Sequence, residues 1–310
     1  MNARAQSNQG QATVLTVVFL AVLLGMAALV LDFGSWYRAD RDTQSTADSA
    51  ALAGAQALPN DTSEAASLAS SYAGKNGGGL DSVKFSSSYG TDDTINVAVK
   101  KSAPGIFSKL FGVNSVNVGS KATARTALIS SAKYVAPIVV KNTHPKLLGT
   151  PGCPCFGQKG SSKNLTTIPL NRNGAPGAFD LLNLDGTKGG TSGGRLADWM
   201  LKGYDGYLDI GQFYSDPGAK WDDSHLHNAL DARIGTTLLF PVYDQIVGTG
   251  ANAQYHVIGW VGFHLLSYDA RGSSGSITGY FTEVIWSGLQ STGGSGQPPN
   301  FGARSVQLIG

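Results

Sequence analysis

Hydrophobic and polar positions follow three successive patterns along the chain. From Ala12 to Leu31 the sequence reads ATVLTVVFLAVLLGMAALVL, an apolar run without a charge. A helix of that length spans about 30 Å, the hydrocarbon thickness of a bilayer. The run predicts one transmembrane helix over about 12–31. No proline occurs between Met1 and Pro59, so the helix is free to continue through DFGSWYRADRDTQSTADSAALAGAQAL as a stalk. In the stalk Ala47, Ala50, Ala51, Gly54, Ala57 and Leu58 recur at three- and four-residue steps. They put small side chains on one helix-packing face, which suits either a partner or the docking of the helix on its own domain.

After Pro59 the periods shorten. Asp61 with Glu64 three residues on has the form of a capping box and starts a second helix running to about Ala73, ended by Lys75-Asn76-Gly77-Gly78-Gly79. Val83 and Phe85, then Ile95, Val97 and Val99 across the turn Gly90-Thr91-Asp92-Asp93, alternate as a hairpin. A short helix is expected near Ile106 to Phe111, then a strand from Val116 to Leu128. Further strands are expected at 137–141, 165–170, 179–184, 236–243, 255–268 and 276–286, with helices at 194–202 and 223–234, the latter with Asp222 as N-cap.

The expected architecture is therefore α+β. A transmembrane helix and stalk occupy 1–58, a small α/β head 59–130, a β-rich domain 135–290, and a flexible tail 291–310 that contains Gly-Gly-Ser-Gly-Gln-Pro-Pro.

Composition agrees with this layout. Charged residues are only 14% against 42% hydrophobic, the balance expected when part of the apolar content faces lipid. The net charge of +2 and the scattered Lys and Arg exclude the basic stripe of a nucleic-acid binder. A cleaved signal is disfavoured because the apolar run exceeds the ~7–15 residues of a signal core. Arg4 on one side and Arg38 and Arg41 on the other leave the charge rule undecided, while the Gly/Ser-rich bulk after the helix favours a cytoplasmic N-terminus and an exported body. Asp32, Trp36 and Tyr37 mark the membrane boundary, with the lipid bilayer as the first partner.

The run Leu31-Asp32-Phe33-Gly34, continuing through Tyr37, Arg38 and Gln44 to Ala47-Asp48-Ser49-Ala50-Ala51-Leu52-Ala53-Gly54-Ala55, resembles the membrane-anchored Tad (Flp) pilus-assembly proteins of the TadE/TadG type. Thr43 departs from the Leu usual before the Gln and weakens the packing stripe there. The likeness extends more loosely through Ala103 to Val113 and Ala122 to Arg125. It implies a single-pass protein of the bacterial cytoplasmic membrane, built for contacts with other pilus-assembly or envelope proteins. For Asp32 it adds a second reading, pairing with a partner helix. Larger TadG-like members carry an Asp-x-Ser-x-Ser metal motif that this chain lacks, so no metal site is carried over.

Cys153-Pro154-Cys155 reads as a disulfide, as two free thiols, or with His144 as an incomplete ligand set. His225 and His227 point about 200° apart on a helix and cannot share an ion. His256 and His264, eight residues apart in one strand, lie about 26 Å from each other. Asn183-Leu184-Asp185-Gly186 and Asp205-Gly206-Tyr207-Leu208-Asp209 lack the acid that ends a calcium loop. No nucleophile elbow, zincin helix or phosphate loop occurs. The expectation is an assembly protein without catalysis, cofactor or metal. The alternative is a membrane-tethered extracytoplasmic hydrolase or ligand-binding module, and it requires three or more of Asp205, Asp209, Asp222, His225, His256 and His264 to converge in one pocket.

Overall fold

The computed structural model describes residues 9–148, 165–170, 180–218, 220–271, 274–292 and 297–309. By contacts the chain forms two compact units, Met1–Arg125 with Gln307–Gly310, and Thr126–Val306. The division falls later than the stalk's end and earlier than the expected head boundary at 130.

The first unit is built on one helix. Helix α1 runs from Gln9 to Ala55 without a break, so the predicted span and stalk are one element. From Gln11 to Leu31 every residue except Ala28 is exposed, and the helix is long and apolar enough to cross a membrane. Helix α2, Thr62–Lys75, starts where Asp61 accepts the amide of Glu64 and buries Ala65, Ala69 and Ala73 in one stripe. Strands β1 (Gly79–Ser86), β2 (Thr94–Pro104) and β3 (Ser115–Ala132) form an antiparallel sheet in that order. Its hairpin register pairs Val83 with Val97 and Phe85 with Ile95. The stalk part of α1 packs on α2 and β2, and α2 also packs on β1. Ile95, Val97 and Val99 turn inward from β2, and Ala122 and Ala124 from β3. Small residues on both helices let the backbones approach closely.

The second unit holds a six-stranded sheet in the order β4-β8-β9-β10-β5. These strands are β4 (Val140–Lys141), β5 (Thr166–Pro169), β8 (Thr237–Val247), β9 (Gln254–Arg271) and β10 (Ser274–Thr282), while β7 (Gly211–Tyr214) joins the N-terminal part of β9. The short helix α3 (Pro145–Leu148) and helices α4 (Gly193–Lys202) and α5 (Ser224–Arg233) accompany it. Phe240 stacks on Phe263 at 5.2 Å, Phe263 meets Phe281 edge-on at 5.3 Å, and Trp221 is fully buried in the same core. Strands β6 (Leu208–Asp209) and β12 (Gly288–Gln290) pair with the end of β3, and β11 (Val284–Ile285) runs parallel to β13 (Ala303–Leu308).

Two expectations are corrected. The N-cap of α5 is Asp223, whose carboxylate accepts the amide of His225; Asp222 lies one residue too early. The stretch read as a flexible tail contains β13, with Phe301, Ala303 and Ser305 buried. The Gly/Ser/Pro composition before it hides a strand whose inward positions alternate as they do elsewhere in the sheet.

Candidate functional site

The most organised polar contact lies at the end of the apolar run. α1 carries Asp32 to its outer boundary, and the β2–β3 hairpin brings its tip, residues 105–114, against the same helix. The Asp32 carboxylate accepts the amide of Ile106 at 2.8 Å, that of Phe107 at 3.1 and 3.2 Å, and that of Ser108 at 2.5 Å. Three consecutive backbone donors converging on one carboxylate form an anion nest filled by the chain's own side chain. Asp32 is 3% exposed. Both oxygens are engaged by the chain's own backbone, so Asp32 forms an internal tether.

The tip holds its shape through local bonds. The Gly105 amide donates to the Asn114 carbonyl at 3.0 Å, and a 3-10 turn, Ser108–Phe111, ends at Gly112 in the left-handed region with φ 83°. The Gly112 amide donates to the Lys109 carbonyl and the Val113 amide to the Ser108 carbonyl, each at 3.1 Å. A Cβ on Gly105 would lie 2.7 Å from the Val113 carbonyl oxygen, so glycine is needed for the chain to close here. Between tip and helix runs a cavity of about 430 Å³, with Gly25, Ala28, Leu29, Phe33 and Trp36 on the helix side and Phe107 and Phe111 opposite. Its walls are almost wholly apolar.

The other boundary residues flank this site. Phe33 and Trp36 meet edge-on at 5.7 Å, and the Trp36 indole nitrogen has no hydrogen-bond partner among the described residues. Tyr37 is exposed and accepts hydrogen bonds from Arg41 at 3.0 and 3.1 Å, an aromatic and cation pair suited to headgroup depth. Farther out, Ala47, Ala50, Ala51, Gly54 and Leu58 are buried and Ala57 half-buried. Their face is covered by α2 and β2 of the same chain, with Gly54 directly under Ile95 and Ala69. Thr43, the departure from the family pattern, is buried and donates its hydroxyl to the Ala39 carbonyl at 2.6 Å, so the substitution is accommodated inside the helix.

The candidate acids and histidines of the second unit are dispersed. Asp205 pairs with Lys133 at 2.7 Å, and that ammonium holds the carboxyl below its usual range. Asp209 belongs to β6, opposite Ser131. His225 lies 3.1 Å from Asp223, His227 2.8 Å from the Trp221 carbonyl, His264 3.2 Å from Thr237 and stacked on Tyr280. His256 contacts Asp244 at 2.7 Å beside a shallow cleft of about 370 Å³ that Pro298 and Pro299 line. Asn183 and Asp185 close a turn: Asp185 accepts the Thr187 amide at 2.9 Å and pairs with Arg195 at 2.8 Å. The Thr187 hydroxyl bond, with these two, lowers the Asp185 carboxyl against the opposing effect of burial. His144 is pushed down by burial and by Lys146. Cys153 and Cys155 lie outside the described residues. Among the described residues no group of three or more His, Cys, Asp or Glu is placed to share an ion.

The tip of the β2–β3 hairpin escaped sequence reasoning as a site. Its signal was present: Ile106, Phe107, Leu110, Phe111 and Val113 are apolar at a hairpin end, where polar turn residues are the rule. Comparison with known proteins then places the helix. Residues 10–57 match the family described as putative Flp pilus-assembly TadE/G-like. Comparison with curated proteins and with solved structures gives no match. The match covers nearly all of α1 and the start of the turn after it, including Asp32 and every residue of the small-residue face but Leu58.

Proposed function

We propose that this pilus-assembly-related, membrane-anchored chain is a structural component of a Tad (Flp) pilus or related envelope machine and acts through protein–protein contacts without catalysis. The observation that carries the reading is the TadE/G-like segment at 10–57, within a single continuous helix whose apolar half is exposed and whose outer half is built into the head. In this reading α1 crosses the bacterial cytoplasmic membrane once, the N-terminus is cytoplasmic, and head and second unit are extracytoplasmic. Because the small-residue face is occupied internally, partners meet the chain elsewhere, on the exposed side of the stalk or on the second unit.

A chromosomal deletion tests the proposal, followed by electron microscopy of surface pili and by site-specific photo-crosslinking from exposed stalk positions such as Arg38 and Ser45. Loss of pili together with crosslinks to other assembly proteins supports it. Normal pili in the deletion strain with no envelope protein captured would remove it. The alternative of a tethered hydrolase finds no particular support, since five of its six candidate residues, all but Asp222, make separate local contacts.

A further inference from the structure

We infer that the tip of the β2–β3 hairpin is a second membrane-seated element: Ile106, Leu110 and Phe111 lie among the acyl chains of the leaflet that holds the outer end of α1, and Asp32 ties the tip at that depth. The inference rests on α1 being a transmembrane helix and adds to it a wedge that fixes the head against the bilayer.

Exposure supplies the first argument. Leu110 and Phe111 are each 83% exposed, the most exposed large hydrophobic side chains among the described residues, and Ile106 stands beside them at 57%. The opposite end of the same sheet turns through Gly90-Thr91-Asp92-Asp93, as a water-facing hairpin should. Apolar clustering at only one end of a hairpin marks a surface meant for an apolar medium.

Depth supplies the second. Asp32 holds Ile106, Phe107 and Ser108 at the edge of the apolar run. The chain then continues toward the span, because the cavity it shares with α1 reaches from Trp36 to Gly25, about 16 Å along the helix axis. If α1 spans at 12–31, the Phe111 side of that cavity is below the headgroups.

Seven of the ten backbone amides of the tip meet the condition that hydrocarbon imposes, since unpaired amides are costly there. The amides of Gly105, Ile106, Phe107, Ser108, Leu110, Gly112 and Val113 all donate to acceptors on this chain. Three of those donors would be orphaned without Asp32, which gives the carboxylate a reason to sit at the membrane edge. Lys109 is the single charged residue between Lys101 and Lys121, and its long stem lets the ammonium reach phosphate groups while the turn stays immersed.

Depth-dependent quenching on the full chain tests this. A fluorophore sensitive to polarity is attached at Phe111→Cys, and separately at Leu110→Cys, in a Cys153→Ser/Cys155→Ser background. Labels at Leu20→Cys and Thr91→Cys serve as references for bilayer and water. The protein is reconstituted in phosphatidylcholine–phosphatidylglycerol vesicles containing nitroxide-labelled acyl chains. The expected result is quenching of the labels at 110, 111 and 20 by the lipid nitroxides, with little quenching by aqueous iodide, and the reverse at 91. Iodide quenching at 110 and 111 beside a lipid-quenched label at 20 would leave the anchor standing and overturn the wedge. Protection from both quenchers would also overturn it, because the tip would then be covered by another copy of the chain. Absence of lipid quenching at 20 would overturn the anchor itself and the wedge with it.

Discussion

Asp32 and Asp93 use the same device at two places in the first unit. Each carboxylate gathers three consecutive or nearly consecutive backbone amides and so replaces the water those donors would otherwise need. For Asp32, a neutral amide in its place has one acceptor oxygen for three donors, and its own N–H groups face them. Asp32→Asn is expected to lower hydrogen-exchange protection of the Ile106, Phe107 and Ser108 amides on the order of tenfold, with the helix otherwise unchanged. Unaltered protection would show that the carboxylate does not hold the tip. Asp93 accepts the amides of Ser88, Tyr89 and Gly90 at 2.7 to 2.8 Å and the Thr94 hydroxyl at 2.7 Å. Burial pushes this carboxyl up, but the four hydrogen bonds together hold it below its usual value. A carboxyl lower in the folded than in the unfolded chain adds stability that is complete above the ordinary pKa of about 4 and is lost as pH falls through the folded value. The first unit should therefore lose stability below about pH 4. Melting curves of Asp93→Asn, compared with the unaltered chain, should show that part of the acid sensitivity removed.

Two glycines at the scale of the elements give opposite expectations for the same substitution. A Cβ on Gly54 would lie 2.5 Å from Ile95 Cδ1 and 2.9 Å from the Ala65 carbonyl oxygen, and the second contact is backbone that cannot swing aside. Gly54→Ala is expected to push α2 off α1 and cost about 1–3 kcal/mol. A Cβ on Gly74, in the last turn of α2, meets nothing within 4 Å. Gly74→Ala should stabilise by about 0.5–1 kcal/mol, since it only restricts the unfolded chain. Chemical denaturation of both variants in detergent checks the pair, and equal effects would contradict the packing described. These elements were legible in the sequence because their determinants are local: the small-residue steps of α1, the Asp61 cap and the alternation in β1 and β2. The tether from Asp32 to Ile106–Ser108 was not, because the contact crosses more than seventy residues and uses backbone amides, which leave no mark on side-chain periodicity.

The whole chain shows the same limit at its C-terminal end. Helices and the long strands of the second unit carry strong periodicity, whereas β11 and β13 are short, and their parallel pairing of Val284 with Ala303 and Ile285 with Arg304 depends on neighbours far apart in sequence. The glycine- and proline-rich approach then made a strand look like a tail. Physical consequences separate the two readings. Phe301 is buried over Gly259, where a Cβ would come within 2.8 Å of the ring, and the Trp286 amide donates to the Arg304 carbonyl at 2.7 Å. Phe301→Ala empties that site and is expected to cost about 3 kcal/mol, which lowers the melting temperature of a unit this size by about 6–12 °C. Deleting 301–310 should lower it further, because β11 loses its parallel neighbour as well. A free tail would leave the melting temperature of both variants unchanged. Scanning calorimetry of the full chain in detergent distinguishes these outcomes. A loss confined to the second unit's transition, with exchange protection in α2 retained, would place Phe301 in the core of that unit alone.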